Sequence, residues 1–132
     1  MIHIDYSLDK SEKHGVGLFT NQAIRKGDLI YTASPILDLN ITQEQFDSLE
    51  EREKKEILWW GFFDEPNQMW HVDFDVSKFI NHAVASEATV TQDDTHNEAY
   101  LVATRDINKG EELTQNYLEF ESEEDLKRRG IS

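Results

Sequence analysis

The 132-residue sequence predicts a mainly β protein in which many short strands surround one inserted helix. Three observations lead there. Apolar stretches are brief and end at glycine- or proline-containing turns, their alternating and β-branched residues suit strands, and one segment alone carries helical capping and spacing. The length and the 38% hydrophobic content suit a single domain over residues 1–132 with one core.

In chain order, MIHIDY, the Gly15 and Gly17 pair, GLFTNQAI, the turn Lys26-Gly27-Asp28 and LIYTASPILDL read as successive short strands. ITQEQFDSLEEREKKEILWWGFF then predicts one helix over about 42–61. Thr42 and Gln45 form a capping box, Phe46, Leu49, Ile57 and Trp60 share a stripe, and Gly61 is the C-terminal stop. After Pro66 the pattern returns to strands in MWHVDFDV, ATVTQ and AYLVATRDI, with a second turn at Asn108-Lys109-Gly110. The end, about 121–132, reads as a small acidic-to-basic helix or a loose tail.

Composition removes several classes of function. Cysteine is absent, which excludes disulfides, thiolate catalysis and sulfur-ligated zinc. Twenty-seven acidic against 13 basic residues give a net charge of −14, a field that repels nucleic acid and attracts a lysine- or arginine-rich segment; the same acidity also serves solubility. No stretch approaches the roughly 18 apolar residues of a membrane span, and the opening MIHIDYSLDK lacks the order of a signal peptide. The expectation is an intracellular protein, cytoplasmic or nuclear, without membrane or direct nucleic-acid contact, its oligomeric state open.

Three short motifs carry the chemistry. HGVGLF at 14–19 sets two glycines around one apolar residue, as a tight hairpin turn or a bare backbone approached by a ligand would. KFINHA at 78–83 runs apolar residues straight into Asn81 and His82, as a strand end satisfying nearby backbone or as two groups awaiting a cofactor. GEELTQNY ends on Tyr117. Asp73 and Asp75, alternating in HVDFDV, could line an approach for a cationic tail or form an ordinary exposed strand face; with His71 they could begin a hard-metal site, but two or three ligands leave a metal shell incomplete, and no metal is expected.

In this order and at this spacing, the motifs resemble the SET domain, the family of S-adenosylmethionine-dependent protein lysine methyltransferases, in its minimal stand-alone type without zinc-binding flanks. The similarity covers roughly residues 3–120. It implies a SET-type β-clip fold of several small curved sheets, with a knot-like threading of the C-terminal segment that brings Asn81, His82 and Tyr117 together. The resemblance further implies S-adenosylmethionine as cofactor, S-adenosylhomocysteine as product and a lysine-bearing basic protein or peptide as partner. His14, Val16, Gly17, Asn81, His82 and Tyr117 would hold the cofactor, and Tyr117 would be catalytic. Tyr31, Gln115 and Phe120 would contribute to the substrate channel.

The sequence departs from the family after His82, where Ala83-Val84-Ala85-Ser86-Glu87 stands in place of the Ser-Cys-x-Pro-Asn that usually follows Asn-His. It departs again at Gln115, where many members carry Phe or Tyr. These departures favour an alternative, a catalytically inactive SET-like module that binds a cationic peptide; the retained Tyr117 favours transfer.

Overall fold

The computed structural model describes residues 1–131; Ser132, the last residue of the expected tail, lies outside the described residues. Tyr6–Lys10 (β1) and Val16–Thr20 (β2) form an antiparallel hairpin whose turn passes through Gly15 at φ +49°. Leu29–Thr32 (β3) and Leu39–Thr42 (β4) follow, then the helices Gln43–Asp47 (α1) and Glu51–Trp60 (α2). Phe62–Asp64 (β5), Met69–Val72 (β6), a 3₁₀ turn at Val76–Phe79, Asn81–His82 (β7), Val90–Gln92 (β8) and Tyr100–Ala103 (β9) come next. The chain ends with Thr114–Gln115 (β10), a 3₁₀ turn at Tyr117–Glu119 and the helix Glu123–Arg128 (α3).

Among the described residues these strands make three small sheets, β1-β2, β3-β9-β8-β10-β7 and β4-β6-β5. Both pairings of β10 are parallel, to β7 on one side and β8 on the other. The connection from β7 to β8 therefore crosses the chain that returns near the C-terminus, which is the threading expected. Backbone bonds fix it: Ala83 N–H reaches the Gln115 carbonyl and Thr89 N–H the Thr114 carbonyl, each at 3.0 Å. Leu18, Ile30, Val90, Ile107 and Leu113 are fully buried and pack with Tyr31, Ile80 and Leu101 into the core beneath this sheet.

The segment expected as one helix is two. The Thr42–Gln45 capping box is present, but Ser48 closes α1 by bonding its hydroxyl to the Gln45 carbonyl, and a second reciprocal box between Glu50 and Glu53 starts α2. The stripe divides accordingly: Phe46 is buried and stacks on Trp70 at 4.6 Å, whereas Trp60 is exposed. Two strands fall where none was expected, β1 over SLDK and β5 over FFD, the latter read as the end of the helix.

Gly61 does stop the helix, but not through a left-handed conformation, since its φ is −116°. A side chain there would drive into the His71 carbonyl oxygen and come 2.7 Å from the Val72 Cγ2. The glycine lets α2 end directly against β6. Gly61→Ala is expected to destabilise the protein by about 1–3 kcal/mol, the cost of overpacking against backbone that cannot move aside; an unchanged urea midpoint would show that the junction yields.

Candidate active site

The three motifs meet around a cavity of about 590 Å³, lined among others by His14, Val16, Asn81, His82 and Tyr117. Its position follows from the threading, because β10 delivers Tyr117 two residues beyond the strand end, next to β7. The Tyr117 N–H donates to His82 Nδ1 at 3.1 Å, and the phenol hydroxyl donates to the Ile80 carbonyl. An acceptor Nδ1 leaves the ring proton on Nε2 in the neutral imidazole. Burial keeps the His82 pKa below its ordinary value, the backbone bond with Gln115 opposing.

The amide nitrogen of Asn81 is bonded inside the protein. It donates to the His14 carbonyl (3.0 Å), the Val16 carbonyl (3.2 Å) and Glu112 Oε2 (3.0 Å), joining all three motifs in one cluster. Two of the groups it satisfies are backbone carbonyls, as at a strand end, but they lie 65 and 67 residues away in sequence. Gly17, expected at the cofactor, does not line the cavity. A Cβ on it would stand 2.6 Å from Glu112 Oε2, so its bare Cα makes room for that carboxylate and not for a ligand. Ser11 completes the cluster by donating to Glu112 at 2.7 and 2.9 Å.

Burial pushes the Tyr117 phenol up to about 12, with Arg129 pulling it down and Glu121, Asp73 and Glu112 pushing it further up. The group is neutral near pH 7. Phe120, with its ring 5.3 Å from Tyr117 and 4.7 Å from Phe62, and Gln115, whose amide bonds Glu119 at 3.0 Å, both line the cavity. Tyr31 does not. Only 3% of it is exposed, and it lies in the core with its hydroxyl on Asp73, because β3 is an edge strand whose inner face packs the core.

Asp73 lines the cavity, whereas Asp75 turns to the N-terminal segment and accepts from Ile2 N–H at 2.8 Å and from Ser77. Behind Asp73 stands a network: His71 Nε2 is 2.9 Å from Asp73 and 3.7 Å from the buried Asp38, and its Nδ1 is 2.8 Å from Asn40 Oδ1. The ligand atoms of Asp38, His71 and Asp73 lie within 4.8 Å of one another, with Asp38 where the sequence suggested Asp75. These groups bond each other as an ion-pair network. Burial disfavours the charged His71, but the bond to Asp73 and the charges of Asp73 and Asp38 outweigh it and raise its pKa above 6.5.

Several cavity residues escaped the sequence reading: Trp59 and Trp60 from α2, Phe62 from β5, and Glu121 and Arg129 around α3. None stands in a motif. The tryptophans had the one available signal, an adjacent aromatic pair at the end of an otherwise charged helix. The charged side chains on the cavity wall, Lys13, Lys78, Arg129, Asp73, Glu87 and Glu121, balance in sign, so the acidic excess sits elsewhere on the molecule.

The SET domain family model matches residues 15–118. A variant-silencing SET domain-containing protein of Plasmodium falciparum is 30% identical over 121 residues, which is 86% of this chain and 5% of that protein. The chain thus spans about one-twentieth of the curated relative it matches. Among solved structures, a candidate histone methyltransferase of Plasmodium falciparum superposes with a TM-score of 0.59 at 16% identity, covering 88% of this chain and 95% of that one. An active polycomb repressive complex 2 in its basal state gives 0.65 at 25% identity, over 86% of this chain and 15% of its own. The Chaetomium thermophilum polycomb repressive complex 2 bound to S-adenosylmethionine gives 0.67 at 23% identity, over 96% and 17%.

Two outcomes are expected from this geometry. Asn81→Ala strips donors from Glu112 and from two carbonyls, so it should cost about 1–3 kcal/mol in a denaturation experiment; a wild-type midpoint would show the cluster to be dispensable. For His71, a folded pKa above the unfolded 6.5 means that its stabilisation is complete below about pH 6.5 and fades as pH rises through the folded value. Urea midpoints of His71→Gln should therefore vary less than wild type between about pH 6 and about pH 9, and parallel curves would contradict the assignment.

Proposed function

The chain belongs to the SET-domain family, and from that premise we propose that it transfers a methyl group from S-adenosylmethionine to a lysine in a basic protein segment. The observation that carries this reading is the convergence of residues 14–16, Asn81-His82 and Tyr117 on one cavity. Its volume, about 590 Å³, falls in the range of small-molecule and cofactor sites, about 300–1,000 Å³. Gly15 supports the fit: it lines the cavity, and a Cβ on it would meet nothing within 4 Å, so bare backbone borders open space. The Chaetomium complex bound to S-adenosylmethionine supports the choice of cofactor.

S-adenosylmethionine, when bound, supplies an electrophilic methyl carbon on a positively charged sulfur and leaves as S-adenosylhomocysteine. In-line displacement demands that the amine nitrogen be placed and oriented, and positioning of this kind can contribute several kcal/mol to the rate. Tyr117 suits that task. Its hydroxyl proton is committed to the Ile80 carbonyl, which leaves lone pairs on the phenol oxygen to accept an amine N–H and aim the nitrogen's own pair. The rings of Phe62, Tyr117 and Phe120 exclude water at this end, and desolvation favours a neutral amine over the ammonium of reference pKa ~10.4. The −14 field draws a cationic segment toward the molecule.

The test is to incubate the protein with labelled S-adenosylmethionine and a panel of basic proteins, beside Tyr117→Phe. Label on lysine is expected with the wild type and about 10²- to 10⁴-fold less with the variant. Cofactor binding by calorimetry without transfer to any basic protein would favour a module that only binds cationic segments.

A further inference from the structure

Arg129 caps the C-terminal end of α3, and only 11% of its side chain is exposed. Its guanidinium donates to the Trp59 carbonyl in the last turn of α2 at 3.1 Å and to the carboxylate of Glu121, whose side chain is 2% exposed. Its Cζ stands 5.6 Å from the centre of the Tyr117 ring. The buried Nε has no hydrogen-bond partner among the described residues. Trp59, Tyr117, Glu121 and Arg129 all line the cavity.

An arginine is a costly way to fill this space. Burying an ion pair carries a desolvation penalty for each ion that only good geometry offsets, and an unpartnered buried donor adds to it. A methionine or leucine would pack there with less penalty, so the explanation has to lie in what an aliphatic chain cannot do. The planar fork holds two acceptors from different elements at once while lying against an aromatic ring. The end of α2 needs such a hold, for among the described residues no side chain of that helix is fully buried.

We infer that Arg129 is a positioning residue for Tyr117: it clasps the end of α2 to the C-terminal segment across the phenol ring, so that the inserted helix and the tail close the amine end of the cavity as one unit. The catalytic consequence of this clasp rests on the methyl-transfer reading; the clasp itself does not. The arginine touches neither reacting atom in this role and acts by restricting where the tyrosine ring can go.

The experiment compares wild type, Arg129→Met and Arg129→Lys by hydrogen–deuterium exchange and by steady-state methyl transfer. Exchange should quicken over residues 57–61 and 117–121 in Arg129→Met, with β1-β2 and β3-β9 unchanged. Arg129→Lys should loosen the same residues less, because one ammonium cannot reproduce the fork, and it supplies the readout should the methionine variant not fold. In the transfer assay kcat should fall about 10- to 100-fold with KM for S-adenosylmethionine nearly unchanged, the signature of lost positioning. Unchanged exchange, loosening spread evenly over the chain, or local loosening with wild-type kcat would each overturn the inference. Absence of transfer by the wild type overturns the methyl-transfer reading instead, and the exchange pattern then still decides the clasp.

Discussion

Glu112 carries a carboxylate into the space left by the missing side chain of Gly17, where it accepts from Asn81 and Ser11. Its hydrogen bonds join the β1–β2 loop at Ser11, β7 at Asn81 and the segment leading into β10, and Asn81 carries the cluster on to the carbonyls of His14 and Val16. With Glu112 anchored there, β10 arrives between β7 and β8 in a fixed register, Thr114 opposite Asn81 and Gln115 opposite His82. Tyr117 then falls beside His82 with its N–H on the imidazole. A shift of one residue would break this bond and move the phenol off the Ile80 carbonyl, so the register of two residues of strand sets the geometry of the cavity.

Much of this was readable in the residues, for physical reasons that can be named. Short alternating stretches marked β2, β3, β8 and β9 because their side chains face a core on one side, and the turn glycines Gly27 and Gly110 do adopt positive φ, +88° and +93°. The convergence of Asn81, His82 and Tyr117 followed from the ordered motifs through family resemblance. What stayed hidden depended on partners far away in sequence. Nothing within HGVGLF says that Gly17 yields its space to Glu112, and nothing within KFINHA says that Asn81 is consumed by carbonyls of residues 14 and 16. The split of the helix was visible in hindsight as a second Glu50–Glu53 box, a weaker signal than the charged periodicity that ran across it. Tyr31 misled because an aromatic near a channel strand and an aromatic beneath it look alike until burial is known.

Two ion-pair arrangements flank the phenol and fix its electrostatic setting. Asp73 is tied to His71 and Tyr31, and those bonds hold its pKa below the usual carboxylate value although burial pushes the other way. Glu121 is pushed up to about 7 by burial, with Arg129 opposing. Each anion raises the Tyr117 pKa and the arginine lowers it, so the phenol remains a neutral hydrogen-bonding group over the whole physiological range. A cavity wall balanced in sign also separates two tasks the composition alone had merged. Under the proposed methyl transfer, the acidic excess would act on a cationic segment at long range, where screening and charge number matter. The wall itself would give the proposed transfer a half-buried and nearly neutral place.

The threading has a consequence for how such a site can exist at all. Because β10 lies between β7 and β8, those two strands share no direct hydrogen bonds and cannot form this edge of the sheet without the C-terminal segment. The contacts that bring the motifs together are thus long-range, with Ser11 and Glu112 separated by 101 positions, His14 and Asn81 by 67 and His82 and Tyr117 by 35. Loop-closure entropy makes such contacts slow and costly to form one at a time. They become stable only together, when the Glu112 cluster, the two parallel pairings of β10 and the core beneath them are all in place. The fold and the cavity are therefore one cooperative object, and the polar residues of the motifs are retained in the interior because each satisfies a group from another part of the chain.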